Sequence, residues 1–193
     1  MNKSILSILL FASVSACSAP APQRPPLEGA RMGGAFTLTN QDSKRVSDAG
    51  FKGQYRLVYF GYTFCPDVCP VDVQQLMAGF RVFEKEAPVA AAKTVPIFIT
   101  VDPERDTPSV LKQFVSAFHP RLIGLTGTPA EIAATSKLYG VVYEKNISSD
   151  AKAYLVDHSR TAVLYGPDGA PIALIPQDGT PQEIAAEFER WVK

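Results

Sequence analysis

The sequence predicts an α/β domain with parallel central strands, and three observations support this class. Apolar runs of strand length, rich in aromatic and β-branched residues, alternate with segments whose apolar residues recur at helical spacing. Three of these helical segments open on Thr-Pro, a pair suited to the cap and first turn of a helix. Late in the chain, two apolar runs flank the turn sequence PDG, which predicts an antiparallel hairpin. Such alternation is typical of a parallel sheet with an antiparallel edge.

The first half of the domain contains three predicted strands and the first predicted helix. Short strands at 35–40 and 45–51 bracket a turn. The run YRLVYFGYTF, residues 55–64, is mostly apolar, as a buried central strand is. A helix is expected at 71–87, because Pro70 suits a first helical turn. The apolar residues at helical spacing in this segment are Val73, Leu76, Met77, Phe80 and Phe83.

The second half repeats the alternation of strand and helix. Strands are predicted at 94–102, 122–127 and 141–146, helices at 107–119, 128–140 and 180–193, and the hairpin at 158–176. This order matches a thioredoxin-like domain with an N-terminal β-hairpin extension, an inserted segment and a late antiparallel hairpin. Because fold alone does not give function, the function has to be argued from the site.

The chain begins with features of an exported protein. Lys3 is followed by the apolar run 5–12 and by small residues ending at Cys17, which indicates a secretory signal peptide at 1–17. The run is shorter than the ~20 apolar residues of a membrane-spanning helix, although an uncleaved anchor is the alternative. The sequence VSAC, residues 14–17, resembles the bacterial lipobox, in which the cysteine is lipidated and becomes the first residue of the mature chain. We therefore predict a lipoprotein with its lipid on Cys17.

Composition divides the remainder into a tether and one domain. Residues 18–30 are rich in proline and nearly free of large apolar side chains, so they predict an extended, semi-stiff tether. Residues 31–193 have a length that suits one domain. The chain is 46% apolar, which supports a proper core, and it carries 19 basic and 19 acidic residues. This balance, with no basic patch, gives no reason to expect nucleic acid as a partner.

The stretch FGYTFCPDVCP, residues 60–70, places Cys65 and Cys69 four apart directly after the predicted central strand. If this segment is helical, the two Cα atoms lie about 6 Å apart on one face. That separation permits a structural disulfide, a redox couple or convergence of both sulfurs on one soft metal ion. A helix start also lowers the pKa of a nearby thiol. A bridge across so small a loop removes little chain entropy, so a purely structural disulfide explains the pair poorly.

Two further side chains are candidates for the same site. In open α/β sheets, sites lie beyond the carboxyl ends of the strands, where Cys65 follows one strand and Asp102 follows the next. His158, in YLVDHS, is interpreted as opening a strand just ahead of the late hairpin. Thioredoxin-type oxidoreductases place a cis-proline in the corresponding region, whereas no proline lies between residues 129 and 167. A histidine facing two thiolates is a metal-ligand arrangement.

Two thiolates and one imidazole favour a soft or borderline metal, which means copper or zinc. Copper(I) is satisfied by the two sulfurs, whereas copper(II) favours the imidazole as well. A structural zinc site usually has four protein ligands, and the domain offers no further cysteine or nearby histidine as the fourth. Asp102 and Asp157 are predicted to orient His158 or to tune the site. The other histidine, His119, stands at a predicted helix end and is interpreted as a polar cap or surface group.

Three motifs in this order, FGYTFCPDVCP, TVDPERDTP and YLVDHS, resemble those of the Sco (SenC/PrrC) family of copper chaperones. The resemblance spans nearly the whole domain. It implies a thioredoxin-like fold in which Cys65, Cys69 and His158 bind copper as both Cu(I) and Cu(II). It also implies delivery of copper to, or preparation of, the dinuclear copper centre of cytochrome c oxidase. The expected partners are therefore the copper-bearing oxidase subunit or another copper chaperone.

The sequence favours a copper chaperone held by lipid on the periplasmic side of a bacterial membrane. Ser18 is not the aspartate associated with inner-membrane retention, so inner and outer membrane both stay open. Reduction of a Cys65–Cys69 disulfide is expected to gate copper loading. The alternative is a thiol–disulfide oxidoreductase, in which one cysteine attacks and the other resolves. A peroxidase is disfavoured, since Tyr62 and Pro66 stand where those enzymes carry threonine. A redox or copper sensor is also compatible with these residues.

Overall fold

The computed structural model describes residues 23–147 and 154–193. The predicted signal peptide, Cys17 and the first residues of the predicted tether lie outside the described residues. Leu27 already contacts the domain, because its backbone N–H donates to the carbonyl of Ile172 at 3.0 Å and its side chain packs against buried apolar residues. The domain boundary at residue 31 stays a prediction.

Strands and helices alternate through the described residues. The strands are β1 (Thr37–Asn40), β2 (Arg45–Ser47), β3 (Tyr55–Gly61), β4 (Thr94–Thr100), β5 (Ile123–Thr126), β6 (Tyr143–Ile147), β7 (Tyr154–His158), β8 (Ala162–Tyr165) and β9 (Pro171–Ile175). The α-helices are α1 (Val68–Glu86), α2 (Pro88–Ala92), α3 (Pro108–Phe118), α4 (Pro129–Leu138) and α5 (Pro181–Trp191). The short helix α2 is an addition to the predicted elements.

Seven of these strands form one sheet in the order β2-β1-β5-β4-β3-β8-β9. The central strands β3, β4 and β5 pair in parallel, and β8 pairs antiparallel to β3. At one edge, β1 joins β5 and carries β2, which forms the predicted N-terminal hairpin. At the other edge, β8 and β9 form the late hairpin. The predicted α/β class, with a parallel centre and two flanking hairpins, is confirmed.

The central strand β3 separates the two apolar cores, and all of its residues are buried. Because side chains alternate along a strand, Leu57 and Tyr59 belong to the core that includes residues of α1 and α5. Val58 and Phe60 belong to the opposite core, which also includes Cys69. Because both faces of β3 are buried, residues 55–64 form a nearly continuous apolar run in the sequence. This burial also brings the carboxyl end of β3 to the edge of both cores.

Helix α1 begins at Val68 rather than at the predicted residue 71, so Cys69 lies in its first turn. Pro70 also lies in this turn, where the missing N–H has no partner to lose. Asp67 occupies the cap position without a side-chain capping hydrogen bond. The other long helices have regular starts, with capping threonines that accept from backbone N–H groups at Thr107, Thr128 and Thr180.

Strands β6 and β7 form a separate two-stranded ribbon, in which Tyr143 pairs with His158. The expectation that His158 opens a strand is wrong, because it is the last residue of β7 and β8 begins only at Ala162. Pairing with β6 supplies the backbone hydrogen bonds of YLVDH, and a local pattern does not specify a pairing partner. Among the helices of the described part, none is long and apolar enough to cross a membrane.

Candidate metal centre

Cys65, Cys69 and His158 converge beyond the carboxyl end of β3. Cys65 lies in the loop that follows the strand, Cys69 lies in the first turn of α1, and His158 ends β7. One ligand atom from each residue lies within 4.8 Å of the other two. The structure therefore brings together all three sequence-predicted ligands, including the histidine, which is 89 residues from Cys69 along the chain.

The two cysteines are free thiols, with Cys65 before α1 and Cys69 in its first turn. The backbone N–H of Cys69 donates to the sulfur of Cys65 at 3.4 Å, and the N–H of Cys65 donates to the carbonyl of Tyr62 at 3.4 Å. N–H groups at a helix start favour negative charge on a nearby sulfur. Cys69 is fully buried and Cys65 is half-buried, so Cys65 is the more accessible of the two sulfurs.

His158 presents a single nitrogen to the site. Its Nε2 lies 2.9 Å from the sulfur of Cys69, and its Nδ1 lies 3.1 Å from the carbonyl oxygen of Ser159. Because a carbonyl can only accept, Nδ1 carries the proton and Nε2 keeps its lone pair toward the sulfurs. This is the tautomer that a metal ligand requires, with the second nitrogen fixed by a hydrogen bond.

Burial keeps the metal-free Cys69–His158 pair uncharged. It raises the pKa of the Cys69 thiol far above its ordinary range, and it lowers the pKa of His158. The expectation that the helix start lowers the thiol pKa is therefore wrong for Cys69, where loss of solvation outweighs the helix end. The Cys69 S–H donates to the neutral imidazole, and a metal ion that binds there has to displace this proton.

Two tyrosines hold the imidazole ring in place. The rings of Tyr59 and Tyr62 meet His158 edge to face, with centroid distances of 6.3 and 6.0 Å. The Tyr62 hydroxyl also accepts from the N–H of Val156 at 3.3 Å, which connects the cysteine loop to β7. Sequence reasoning missed both residues. Their available signal is a pair of tyrosines at the end of a buried strand, immediately before the cysteines.

A buried carboxylate lies behind the site. Asp72 of α1 is 1% exposed and accepts from Arg160 at 2.6 and 3.0 Å and from the Tyr59 hydroxyl at 2.7 Å. Burial and this carboxylate raise the pKa of Tyr59. Since Arg160 lies two residues after His158, the ion pair connects α1 to the segment that follows β7. Sequence reasoning missed Asp72, whose signal is an acidic residue among the apolar positions of α1.

The two predicted accessory carboxylates form contacts of their own. Asp102 is fully buried, accepts from the Tyr154 hydroxyl at 2.7 Å and pairs with Arg105. Asp157 is exposed and accepts from the side-chain amide of Asn146 at 2.6 Å. Asp102 thus contacts the start of β7, and Asp157 contacts the neighbouring strand. The roles assigned to both in tuning His158 stay predictions.

His119 has a different environment from His158. It caps the end of α3, as predicted, but it is only 3% exposed, so the interpretation as a surface group is wrong. Its Nδ1 accepts from the N–H of Arg121 at 3.2 Å, and its Nε2 donates to Glu84 at 3.1 Å. With both nitrogens engaged away from the cysteines, His119 is a satisfied structural histidine.

The fold and the site define a class: a thioredoxin-like protein with two thiols and one imidazole at the end of a central strand. A family model described as SCO1/SenC matches residues 24–193, and the chain belongs to this family. It is 42% identical over 144 residues to Protein SCO1 homolog 1, mitochondrial, of Arabidopsis thaliana, a match that covers 75% of this chain and 42% of that protein. The chain spans about half the length of the curated relatives that it matches.

Solved structures show the same architecture. Bradyrhizobium japonicum ScoI with copper bound superposes with a TM-score of 0.75 at 41% identity, covering 83% of this chain and 99% of that one. BsSco, described as a Sco-family cytochrome c oxidase assembly protein with a disulfide switch, gives a TM-score of 0.61 at 26% identity over 88% and 94% of the two chains. The thioredoxin-like fold predicted from the sequence is thereby confirmed.

Proposed function

We propose that this protein is a copper-binding metallochaperone that delivers copper to, or prepares, the dinuclear copper centre of cytochrome c oxidase. The observation that carries the proposal is the convergence of Cys65, Cys69 and His158 within 4.8 Å. Two sulfurs and one imidazole nitrogen match the ligands that copper favours. The copper-bound structure of the 41% identical Bradyrhizobium protein and the oxidase-assembly role named for BsSco support the cargo and its destination.

The three ligands have different roles in this proposal. Cys65 and Cys69 hold Cu(I) as thiolates, and His158 adds the nitrogen that favours Cu(II). A three-ligand site leaves a position open to an incoming ligand, which suits a carrier that passes copper on by ligand exchange. Asp102 tunes His158 through Tyr154, and Asp157 does so through the pairing of β6 with β7.

The proposal places the domain on the periplasmic side of a bacterial membrane. The apolar leader at 1–17 and the sequence VSAC support export and lipidation of Cys17. The proline-rich residues 18–30 would then hold the metal site away from the bilayer, within reach of a membrane-bound partner. The partner is the copper-bearing oxidase subunit or another copper chaperone.

A thiol–disulfide oxidoreductase is the second candidate function. Two free thiols, one half-buried and one fully buried, suit an attacking and a resolving cysteine. The disulfide switch named for BsSco also favours thiol chemistry at such a pair. This activity needs no imidazole ligand, so turnover that survives loss of His158 would favour it over the chaperone.

Titration of the reduced, full-length protein with Cu(I) and with Cu(II), without oxygen, tests the proposal. We expect one copper per chain, abolished by Cys65→Ser or Cys69→Ser. His158→Ala should retain Cu(I) binding. It should lower the affinity for Cu(II) by more than about 10- to 100-fold, which is the typical effect of losing a group that hydrogen-bonds to a metal ligand. His119→Gln, at the other histidine, is the matched control and leaves both affinities unchanged. Copper binding indifferent to His158, with rapid reduction of partner disulfides, would overturn the chaperone proposal.

A further inference from the structure

The segment 101–107, VDPERDT, contacts both halves of the metal site. It leaves the end of β4, beside the cysteine loop, and it also contacts the β6–β7 ribbon that carries His158. We propose that Arg105 in this segment is a positioning residue that fixes the distance between the two thiols and His158, and so determines how well the site holds Cu(II) relative to Cu(I). The metal preference rests on the proposed function, whereas the positioning does not.

On the histidine side, Arg105 and Asp102 hold the first residue of β7. Nη1 of Arg105 donates to the carbonyl of Tyr154 at 3.0 Å, and the Tyr154 hydroxyl donates to Asp102. The guanidinium carbon lies 3.6 Å from the centroid of the Tyr154 ring. An ion pair between Glu104 and Lys145, at 2.8 Å, holds β6 to the same segment. Because the ribbon is not part of the seven-stranded sheet, these contacts fix its position relative to the domain.

On the thiol side, the same segment holds the loop before Cys65. The Arg105 guanidinium carbon lies 5.0 Å from the ring centroid of Phe64, the residue that precedes Cys65. The neighbouring Asp106 is fully buried and accepts from the N–H and the hydroxyl of Thr63 at 3.0 and 2.6 Å. Arg105 is thus packed between the residue that precedes a thiol ligand and the strand that ends in the imidazole ligand.

The geometry of Arg105 favours positioning over a simple contribution to stability. Its side chain is 24% exposed and pairs with a fully buried carboxylate, Asp102, a kind of pair that often contributes little net stability. Its Nη2 is buried and makes no hydrogen bond within the described residues. Stacking on Tyr154 and the fork through Nε and Nη1 therefore hold the guanidinium. Lysine cannot reproduce either the stacking or the fork.

Cu(II) is more sensitive than Cu(I) to this positioning. In the proposed site Cu(I) needs the two sulfurs, which lie four residues apart at the start of α1, where the N–H of Cys69 donates to the sulfur of Cys65. Cu(II) also needs Nε2 of His158, whose distance from the sulfurs depends on where the ribbon lies. Loosening the ribbon should therefore weaken Cu(II) while leaving Cu(I) nearly unchanged.

The copper test uses Arg105→Lys and Tyr154→Phe in the full-length, reduced protein. We expect Cu(II) to bind about 10- to 100-fold more weakly, with a diminished thiolate-to-Cu(II) absorption band and an unchanged Cu(I) affinity. The controls are Arg45→Lys, which alters an arginine bonded to Glu131, and Tyr55→Phe, which removes a hydroxyl bonded to Lys193. Equal losses of Cu(I) and Cu(II) would indicate a merely structural role and overturn the inference.

A second arm uses the metal-free protein, so its result does not depend on the proposed function. Amide hydrogen exchange should become about 2- to 10-fold faster in β7, notably at Val156, as expected for one lost hydrogen bond. Exchange in β3 and β4 should stay unchanged. If both variants leave exchange in β7 and Cu(II) binding as in the wild type, Arg105 does not position the ribbon. If the wild type binds no copper while β7 still loosens, the copper proposal fails and the positioning stands.

Discussion

Gly61, the last residue of β3, illustrates at the scale of one residue how closely the site is packed. A Cβ at this position would lie 3.2 Å from the sulfur of Cys69, 3.0 Å from the Phe98 ring and 3.1 Å from the Tyr59 ring. We predict that Gly61→Ala lowers the free energy of unfolding by about 1–3 kcal/mol through overpacking. It should also weaken copper binding, because the sulfur has to move. Urea denaturation and copper titration measure the two effects.

Gly50 provides the control for this substitution. A Cβ there would meet open space, so Gly50→Ala should leave copper binding unchanged. Its stability should stay equal or rise by about 0.4–1 kcal/mol, because alanine restricts the unfolded chain. A Gly61→Ala protein with wild-type stability and wild-type copper affinity would contradict the close contact between Gly61 and Cys69.

Arg160 supports a second prediction at this scale. Its removal would leave the carboxylate of Asp72, which is 1% exposed, with the Tyr59 hydroxyl as its remaining side-chain partner among those described. We predict that Arg160→Ala destabilises the metal-free protein by about 1–3 kcal/mol or more, the effect of an unsatisfied buried acceptor. Arg190→Ala breaks a surface pair in which the arginine is 49% exposed, against 45% for Arg160. It should cost less than about 1 kcal/mol, and equal losses in urea denaturation would refute the distinction.

The residues of the site differ in how far the sequence could identify them. Cys65 and Cys69 are identifiable because a four-residue spacing depends on local geometry alone. His158 is identifiable as a candidate because the domain offers few other soft metal ligands. Its position beside the cysteines, however, depends on the long-range pairing of β7 with β6. Asp72 could not be assigned, since its role depends on which face of α1 meets Arg160. The pKa of Cys69 depends on burial, which a helix-start argument does not contain.

At the scale of elements, the β6–β7 ribbon was the hardest part to predict. Side chains alternate along β7, so Val156 is buried while Leu155 and Asp157 are exposed. The alternation exists only in the fold, because Leu155 and Val156 are both apolar in the sequence, and nothing local indicates whether the partner strand is β6 or β8. Strand pairing is set by tertiary contacts, here those of Tyr154 and Val156 with the domain. Helix starts, by contrast, are local, which is why the Thr-Pro openings were identified correctly.

The capping box of α5 allows a prediction for a whole helix. Thr180 accepts from the N–H of Glu183, and Glu183 accepts from the N–H of Thr180. Thr180→Ala should lower the free energy of unfolding by about 1 kcal/mol without changing copper affinity, because the cap lies outside the site. Ser47→Ala is the control, since Ser47 precedes the short 3-10 helix Asp48–Phe51 and its side chain makes no capping hydrogen bond. Urea denaturation should show a smaller loss for the control, and an equal loss would contradict the capping contribution.

At the scale of the whole molecule, the alternation of strands and helices was sufficient to predict the architecture. Parallel strands joined through helices have few permissible arrangements, which is why β3, β4 and β5 lie together as expected. The contact between the ribbon and the segment 101–107 could not be predicted. It joins residues that are far apart in sequence, such as Arg105 and Tyr154, and no local sequence pattern predicts such a contact.

The dependence of stability on pH is a property of the whole molecule, because the buried His119 and the half-buried His158 lie in different parts of the fold and are both neutral rings. Burial lowers the pKa of His119 and of His158 below the ordinary value of 6.5. Between the folded and unfolded pKa values the unfolded chain binds more protons, so stability rises with pH in this window. Stability is therefore fully present above about pH 6.5 and is lost as the pH falls toward the folded pKa values. Asp106, whose pKa burial raises, acts in the opposite direction at lower pH.

We predict that the free energy of unfolding of the reduced, metal-free protein falls between about pH 7 and pH 5.5, by at most about 1.4 kcal/mol per pH unit for each histidine. Urea denaturation across this range measures the slope. His119→Gln should remove the contribution of His119 to this slope while keeping the structure, since the glutamine amide can still donate to Glu84. His158→Gln should remove the contribution of His158. A wild-type stability that stays level or rises on acidification would mean that the histidines are charged in the folded state. The interpretation of Cys69 and His158 as an uncharged pair, from which a metal ion displaces a proton, would then be wrong as well.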